Sequence, residues 1–510
     1  MRVLFLDLDT LRPDHLGCYG YHRNTSPNID RIASEGVRFD EYYVSDAPCL
    51  PARAALISGM FGIHNGAVNH GGTHADMRLQ GASRGFRTSI ARNSLWSIFR
   101  KNGMHTCSIS PFAERHSSYW FLAGLNEMHN HIGKGGNESA EEVTPTVLDW
   151  LDRNGEGDDW MLHVNYWDPH TPYRAPEEFG NPFADEPLPE WLTSEVFEQH
   201  RQLAGPHTPR DNGMYHGNED DEFPRMVNDI ADMKQLRNCI DGYDCGIRYM
   251  DDHIGRIMDK LDQMGVLEDT AIIVTADHGE NFGELGIYSE HGTADRITCR
   301  IPMIVRWPGG KAGHADAGLH YQVDLLPTLS ELFDTGTAGH WDGQSYAQTI
   351  SDGADTGRDQ LVLSQCAHVC QRSVRWGSWL YMRTYHDGLH PHFEKEMLFN
   401  IDEDPQETQN LAEARPEIAR EGAARLLAWH DDMMATQPFD YCTDPMDKIL
   451  QETGPEHARK PDSPGLITRY RDYFQRLRDT GRGRWIDEIM RRHPELKSCA
   501  EAESASESAL

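Results

Sequence analysis

Three short apolar runs, far apart in the chain, each end on side chains that can hold a ligand. Residues 3–8 lead into Asp9, residues 160–166 into Asp168-Pro169-His170, and residues 271–276 into Asp277-His278-Gly279-Glu280. Largely apolar runs this short, closed by polar turns, read as sheet strands. Helical spacing separates them. Ile240, Tyr243, Ile247, Met250, Ile254, Ile257 and Leu261 recur on one face, and residues 27–33 and 143–151 read as further helices. Strands interleaved with helices predict an α/β fold, and in open sheets of that kind ligands gather at the carboxyl ends of the strands. A strand-end aspartate can also do no more than cap a turn, so Asp9 alone decides nothing.

A second stretch adds chemistry. Residues 46–59 read DAPCLPARAALISG. Pro48 and Pro51 stiffen a turn and push the residues before them out of helix. The run after Pro51 favours helix. Cys49 therefore stands just before a helix start, where unpaired N–H groups and the dipole favour an anion. Arg53, one turn on, adds a fork-shaped cation suited to oxyanions. Two readings follow: a nucleophile held over an anion pocket, or a buried thiol beside a surface arginine.

Cys49-Leu50-Pro51-Ala52-Arg53, with ALISG close behind, resembles the C-x-P-x-R signature of the formylglycine sulfatases and the related phosphonate monoester hydrolases of the alkaline phosphatase superfamily. DTLRPDHLGCYG from Asp9, VDLLPTL from Val323 and SVRWGSWLYMRTY from Ser373 resemble other parts of that family. The resemblance implies an alkaline phosphatase-like α/β/α sandwich with a large mixed sheet, plus a small C-terminal subdomain with an antiparallel sheet. It implies that a maturation enzyme oxidises Cys49 to formylglycine (3-oxoalanine), whose hydrate is the nucleophile. Asp9, Asp277, His278 and residue 49 would then surround one divalent metal ion. Oxygen ligands suit Ca²⁺, and the imidazole of His278 brings Mn²⁺ next.

By the same resemblance Arg53, His170 and His291 fall in catalytic places. His170 lies in a P-H-x-P loop on the leaving-group side, and His291 falls near a pocket lysine of the phosphonate hydrolases. Asn69 and His116 are candidate substrate contacts. Three departures stand out. Thr10 replaces a second aspartate common in sulfatases, and Leu50 replaces a small residue. Residues 106–113, TCSISPFA, stand where other members have a strand ending in G-K-W-H that gives a lysine and a histidine. The expected activity is hydrolysis of a small-molecule or saccharide sulfate ester to an alcohol and inorganic sulfate. His278 and the missing lysine and histidine lean toward an alternative, a phosphonate monoester hydrolase or phosphodiesterase using the same site. A third reading is a non-catalytic binding protein with Cys49 unconverted.

The expected domains are a catalytic unit over 1–360, a C-terminal subdomain of short strands and helices over 361–490, and a disordered acidic tail over 491–510. The C-terminal region is longer than a minimal subdomain needs, which suggests that it wraps a neighbouring subunit in a homo-oligomer. Residues 174–233, polar and rich in proline, are expected to build the substrate wall. The chain carries 81 acidic against 48 basic residues, a formal charge of −33. That argues against nucleic acid or an anionic membrane as the main partner. No apolar run approaches the ~18 residues of a membrane span. Asp7 and Asp9 interrupt the first apolar run, which therefore does not read as a signal peptide. Ten cysteines without a C-x-x-C pair suggest free thiols and a cytoplasmic setting.

Overall fold

A computed structural model describes residues 1–78, 88–130, 133–213, 224–336, 340–438 and 443–501. Its strands, in chain order, are β1 (Arg2–Leu8), β2 (Val37–Tyr43), β3 (Asp46–Ala47), β4 (His105–Ile109), β5 (Glu127–His129), β6 (Trp160–Tyr166), β7 (Thr270–Thr275), β8 (Asn281–Phe282), β9 (Tyr288–Glu290), β10 (Met303–Arg306), β11 (His314–Tyr321), β12 (Gln360–Gln365), β13 (Cys370–Trp376), β14 (Trp379–His386) and β15 (Glu396–Asn400). Eight of them form the large sheet in the order β11-β2-β10-β7-β1-β6-β4-β5. β1, β6 and β7 are buried along their whole length, as central strands covered on both faces must be. β10 alone runs antiparallel to its neighbours, so the sheet is mixed. β1, β4, β6 and β7 all run parallel. Their carboxyl ends therefore share one edge, and Asp9, Ser110, Asp168 and Asp277 follow there.

Helices cover the sheet. α1 (Pro27–Ser34) begins at Pro27, which suits a first turn because its missing N–H would have no partner there. Its next two N–H groups donate to Asp251 of the helix Met233–Gln263, at 2.9 Å each. α2 (Cys49–Ser58) has every residue buried and ends at Gly59, whose φ of 65° suits glycine. Helix Met233–Gln263 carries the apolar stripe read from the sequence on its buried side. It passes so close to the turn after β6 that a Cβ on Gly246 would lie 2.5 Å from the Asp168 carbonyl oxygen. Only glycine fits that approach.

The second sheet has the order β15-β14-β13-β12-β3. β12 to β15 are antiparallel, as expected for the C-terminal part. β3 is different, because it comes from the N-terminal part and pairs in parallel with β12, Asp46 opposite Ser364 and Ala47 opposite Gln365. The two sheets thus meet at the residues that lead into Cys49. A boundary at residue 360 does not cut the structure into separate pieces.

Part of the C-terminal region packs on its own chain. Tyr470, Tyr473, Phe474, Leu477, Ile489 and Leu496 form a small core with Ala204 and Leu389. The region expected to be a disordered tail, 491–510, begins with regular structure. Helix Arg484–Arg492, a short turn and helix Lys497–Glu501 carry ordered backbone to residue 501, because Leu496 and Cys499 are buried. Residues 502–510 lie outside the described residues. Among the described residues no helix is long and apolar enough to cross a membrane.

Candidate active site

The strand ends and α2 converge on one guanidinium. Arg53, fully buried, donates from Nε to Asp7 Oδ2 (2.8 Å), from Nη1 to Asp277 Oδ2 (2.6 Å) and from Nη2 to Asp9 Oδ2 (3.0 Å). Phe112 and Trp167 cover it, with ring centroids at 4.8 and 5.6 Å. Strand alternation explains why Asp7 and Asp9 face it together, two residues apart. One cation among three buried carboxylates leaves a negative excess. Burial raises the Asp7 pKa, but Arg53 and His163 outweigh it and hold the carboxyl at about 2. Burial and the neighbouring Asp9 and Asp7 push Asp277 well above the usual range, despite Arg53.

Cys49 opens α2, and its Sγ lies 3.0 Å from His278 Nε2. His278 Nδ1–H donates to the Gly279 carbonyl (2.9 Å), which leaves Nε2 with its lone pair facing Cys49. Burial pushes this imidazole down to about 4, in the state that binds metals. Asp9, Cys49, Asp277 and His278 each offer a ligand atom within 4.8 Å of the others. Asp9 Oδ1 is buried and has no hydrogen-bond partner among the described residues. The donor set of two carboxylates, an imidazole and residue 49 fits a hard or borderline divalent cation. Burial and the two aspartates push the Cys49 thiol far up, so the unmodified side chain is a poor nucleophile here.

A wall of histidines rises from this floor. The His291 ring stacks on His278 at 4.0 Å, with Nδ1 3.1 Å from Glu280 Oε2 and Nε2 3.3 Å from Glu290 Oε1. His170 Nδ1–H donates to the Thr171 carbonyl (2.6 Å), and its Nε2 lies 3.9 Å from Asp9 Oδ1. Burial, the Arg115 charge and His291 push His170 well below the usual range, so it is neutral. Glu290 also meets His368 (3.2 Å) and His207 (3.0 Å). These histidines outweigh its burial and keep it ionised. His457 stacks on His368 at 4.2 Å, and His70 lies 5.2 Å from His116 and 5.3 Å from His368.

The sulfatase family model matches residues 2–335. The chain belongs to the sulfatase family. It is therefore a sulfuric ester hydrolase by class. The uncharacterized sulfatase YidJ of Escherichia coli (strain K12) is 26% identical over 374 residues, covering 65% of this chain and 67% of its own. The fold is that of BT4656, solved with its substrate D-glucosamine-2-N,6-O-disulfate, at a TM-score of 0.67 and 16% identity over 86% of this chain and 99% of that one. It is also that of the phosphonate monoester hydrolase of Agrobacterium radiobacter, at a TM-score of 0.64 and 19% identity, covering 85% and 96%.

On this sulfatase fold the structure brings together Asp9, Cys49, Arg53, Asp277 and His278, with His170 and His291 beside them. His116 is next to the group through His70, and its Nε2 is buried without a hydrogen-bond partner among the described residues. Asn69 is buried nearby, where its carbonyl accepts from the His70 N–H (2.7 Å); its neighbour His70 is the residue that joins the histidine wall. Arg53 differs from expectation. Its nitrogens are directed at carboxylates, so it orders the floor of the site instead of offering an open fork to an oxyanion. Sequence reasoning passed over Asp7, Glu290, His207, His368 and His457. Asp7 was legible as the i, i+2 partner of Asp9; the histidines come from three segments far apart in the chain, at 207, 368 and 457, and carried no local signal.

Proposed function

We propose that this sulfatase-family chain hydrolyses a sulfate ester to an alcohol and inorganic sulfate in the cleft floored by residue 49. The observation that carries the reading is the buried convergence of Asp9, Asp277, His278 and Cys49, with Asp9 Oδ1 unpaired. Formylglycine at residue 49, installed by a maturation enzyme, would supply an oxygen nucleophile of the kind a buried thiol cannot. A divalent ion held by Asp9, Asp277, His278 and residue 49, Ca²⁺ by its carboxylates or Mn²⁺ by its imidazole, would supply the positive charge that activates that oxygen and offsets the ester's oxygens.

The chain's own side chains do the rest. Arg53 fixes the three carboxylates and keeps them from drifting apart. His170 is neutral, and an anionic ester placed beside it raises its proton affinity. It can then carry a proton at Nε2 to the departing alcohol oxygen. His291 is braced by Glu280 and Glu290 for the same role or for holding an oxygen of the bound ester. His116 and His70 present unpartnered Nε2 atoms in the region where the lysine and histidine of other members are missing. The free cysteines among the described residues suit a reducing, cytoplasmic setting.

One specific residue favours a second reading. His278 sits where many sulfatases carry asparagine, as in the phosphonate monoester hydrolases, so attack at phosphorus is the rival. The test combines intact-mass analysis of the tryptic peptide bearing residue 49 with turnover of matched aryl sulfate and aryl phosphodiester esters. An aldehyde mass with faster sulfate release is expected. Faster phosphodiester cleavage would select the second reading. An unaltered thiol in protein from its native host would overturn both.

A further inference from the structure

Away from the active site, the outer edge of the large sheet gathers four metal-binding side chains. β4 and β5 pair in parallel with Cys107 opposite Glu127 and Ile109 opposite His129. Side chains two apart on a strand share a face, so His105, Cys107, Glu127 and His129 stand on the same side of the sheet. The opposite face of β4 carries Ser108, whose hydroxyl meets His163 Nδ1 at 2.8 Å, while His163 Nε2 reaches Asp7 at 3.3 Å. The edge cluster is therefore separated from the Arg53 floor by the thickness of the sheet.

Glu127 lies between two imidazoles. His105 Nε2 is 2.7 Å from its Oε1, and His129 Nε2 is 3.1 Å from its Oε2. The fully buried Cys107 lies beneath them. Ligand atoms of Cys107, Glu127 and His129 fall within 4.8 Å of one another. Both imidazoles thus direct the same ring nitrogen, Nε2, at one carboxylate above a thiol.

We propose that Cys107, His129, Glu127 and His105 form a structural zinc site that fastens the edge strand β5 to the sheet. Sulfur, two nitrogens and one oxygen are the tetrahedral donor mix that Zn²⁺ takes, and a thiolate ligand disfavours Ca²⁺ and Mg²⁺. On binding, the Cys107 thiol gives its proton to solvent and the imidazoles carry theirs on Nδ1. β5 has three residues and a single neighbour in the sheet. Its hydrogen bonds alone hold it weakly, and a metal cross-link to β4 would also protect an otherwise open sheet edge.

The test uses the full chain in a Cys49→Ala background, which removes the active-site thiol. Titration with Co²⁺ should produce a thiolate-to-cobalt charge-transfer band that saturates at one equivalent and is displaced by Zn²⁺. Cys107→Ser should abolish the band and lower bound Zn²⁺ by one equivalent per chain. His129→Gln, at a partly exposed position, keeps the thiol and tolerates substitution; it should weaken Zn²⁺ binding by roughly tenfold or more. A parent protein with no such band, or one whose Zn²⁺ stoichiometry is matched by both variants, would overturn the proposal.

Discussion

Two arginine–aspartate clusters, one around buried Asp211 and one around buried Arg53, are matched to different degrees. Around Asp211 the charges are matched, because Arg482 and Arg476 face Asp211 and Arg476 also meets Asp229 at 3.4 Å. Arg482 donates to both Asp211 oxygens (2.7 and 3.0 Å), Arg476 adds a third bond (2.9 Å), and Tyr473 a fourth (3.2 Å). Around Arg53 the carboxylates prevail, three to one, and Asp7 Oδ1 and Asp9 Oδ1 have no hydrogen-bond partner among the described residues. The first cluster is complete, and it ties helix Pro464–Asp479 to the loop before helix Met233–Gln263. The second is incomplete, and its negative excess calls for a cation. Pairing ratio, more than burial, separates a lock from a reactive centre.

The comparison can be broken in four ways, from the largest expected effect to the smallest. Arg53→Ala leaves three buried carboxylates without their cation and should cost about 3–5 kcal/mol or prevent folding, measured by urea unfolding. Adding a divalent ion at about 100 times its Kd should stabilise the wild type by about 2.7 kcal/mol. A chelator should remove that gain, and an equal metal response in Asp9→Asn, which lacks one ligand charge, would show that the ion binds elsewhere. Arg482→Ala should cost about 1.5–3 kcal/mol, because Arg476 still serves Asp211. Its signature is faster proteolysis after residue 443, with no change in metal response.

The last test concerns a carboxylate served mainly by neutral donors, and it is read as a slope in pH with no loss at a single pH. Asp251 accepts from the Asn28 and Ile29 N–H groups and the Asn28 amide, yet burial pushes its pKa up from 3.8 to about 6. A raised acid pKa means the folded state holds the proton more tightly than the unfolded one. The stability this gives is present in full below pH 3.8 and falls as pH rises to about 6. Asp251→Asn should flatten the unfolding free energy across that window, and an unchanged slope would contradict the assignment.

Much of this was legible in the sequence because it depends on local pattern. Residues 3–8, 160–166 and 271–276 read as strands by length and apolar content, and the first and last run straight into Asp9 and Asp277-His278, so a shared sheet edge for those side chains was legible without a structure. Cys49 before Pro51 carried its helix start in its neighbours. What the sequence hid was set by distance or by partner choice. Arg53 has the same local context whether it faces substrate or carboxylates, and three strand ends had to meet before its role was visible. His207, His368 and His457 sit in three separate loops that only tertiary packing unites around Glu290. β3 escaped notice because two residues carry no strand pattern, and their partner strand lies in the C-terminal half.

That short strand has a bearing on when the protein becomes active. Asp46 and Ala47 are locked by Ser364 and Gln365, and Cys49 is only 2% exposed once α2 has closed. An enzyme that must grip an extended segment around this cysteine has no access afterwards. On the proposed reading, oxidation of residue 49 would have to precede the pairing of β3 with β12. A chain that closed α2 first would, on the same reading, keep its buried thiol.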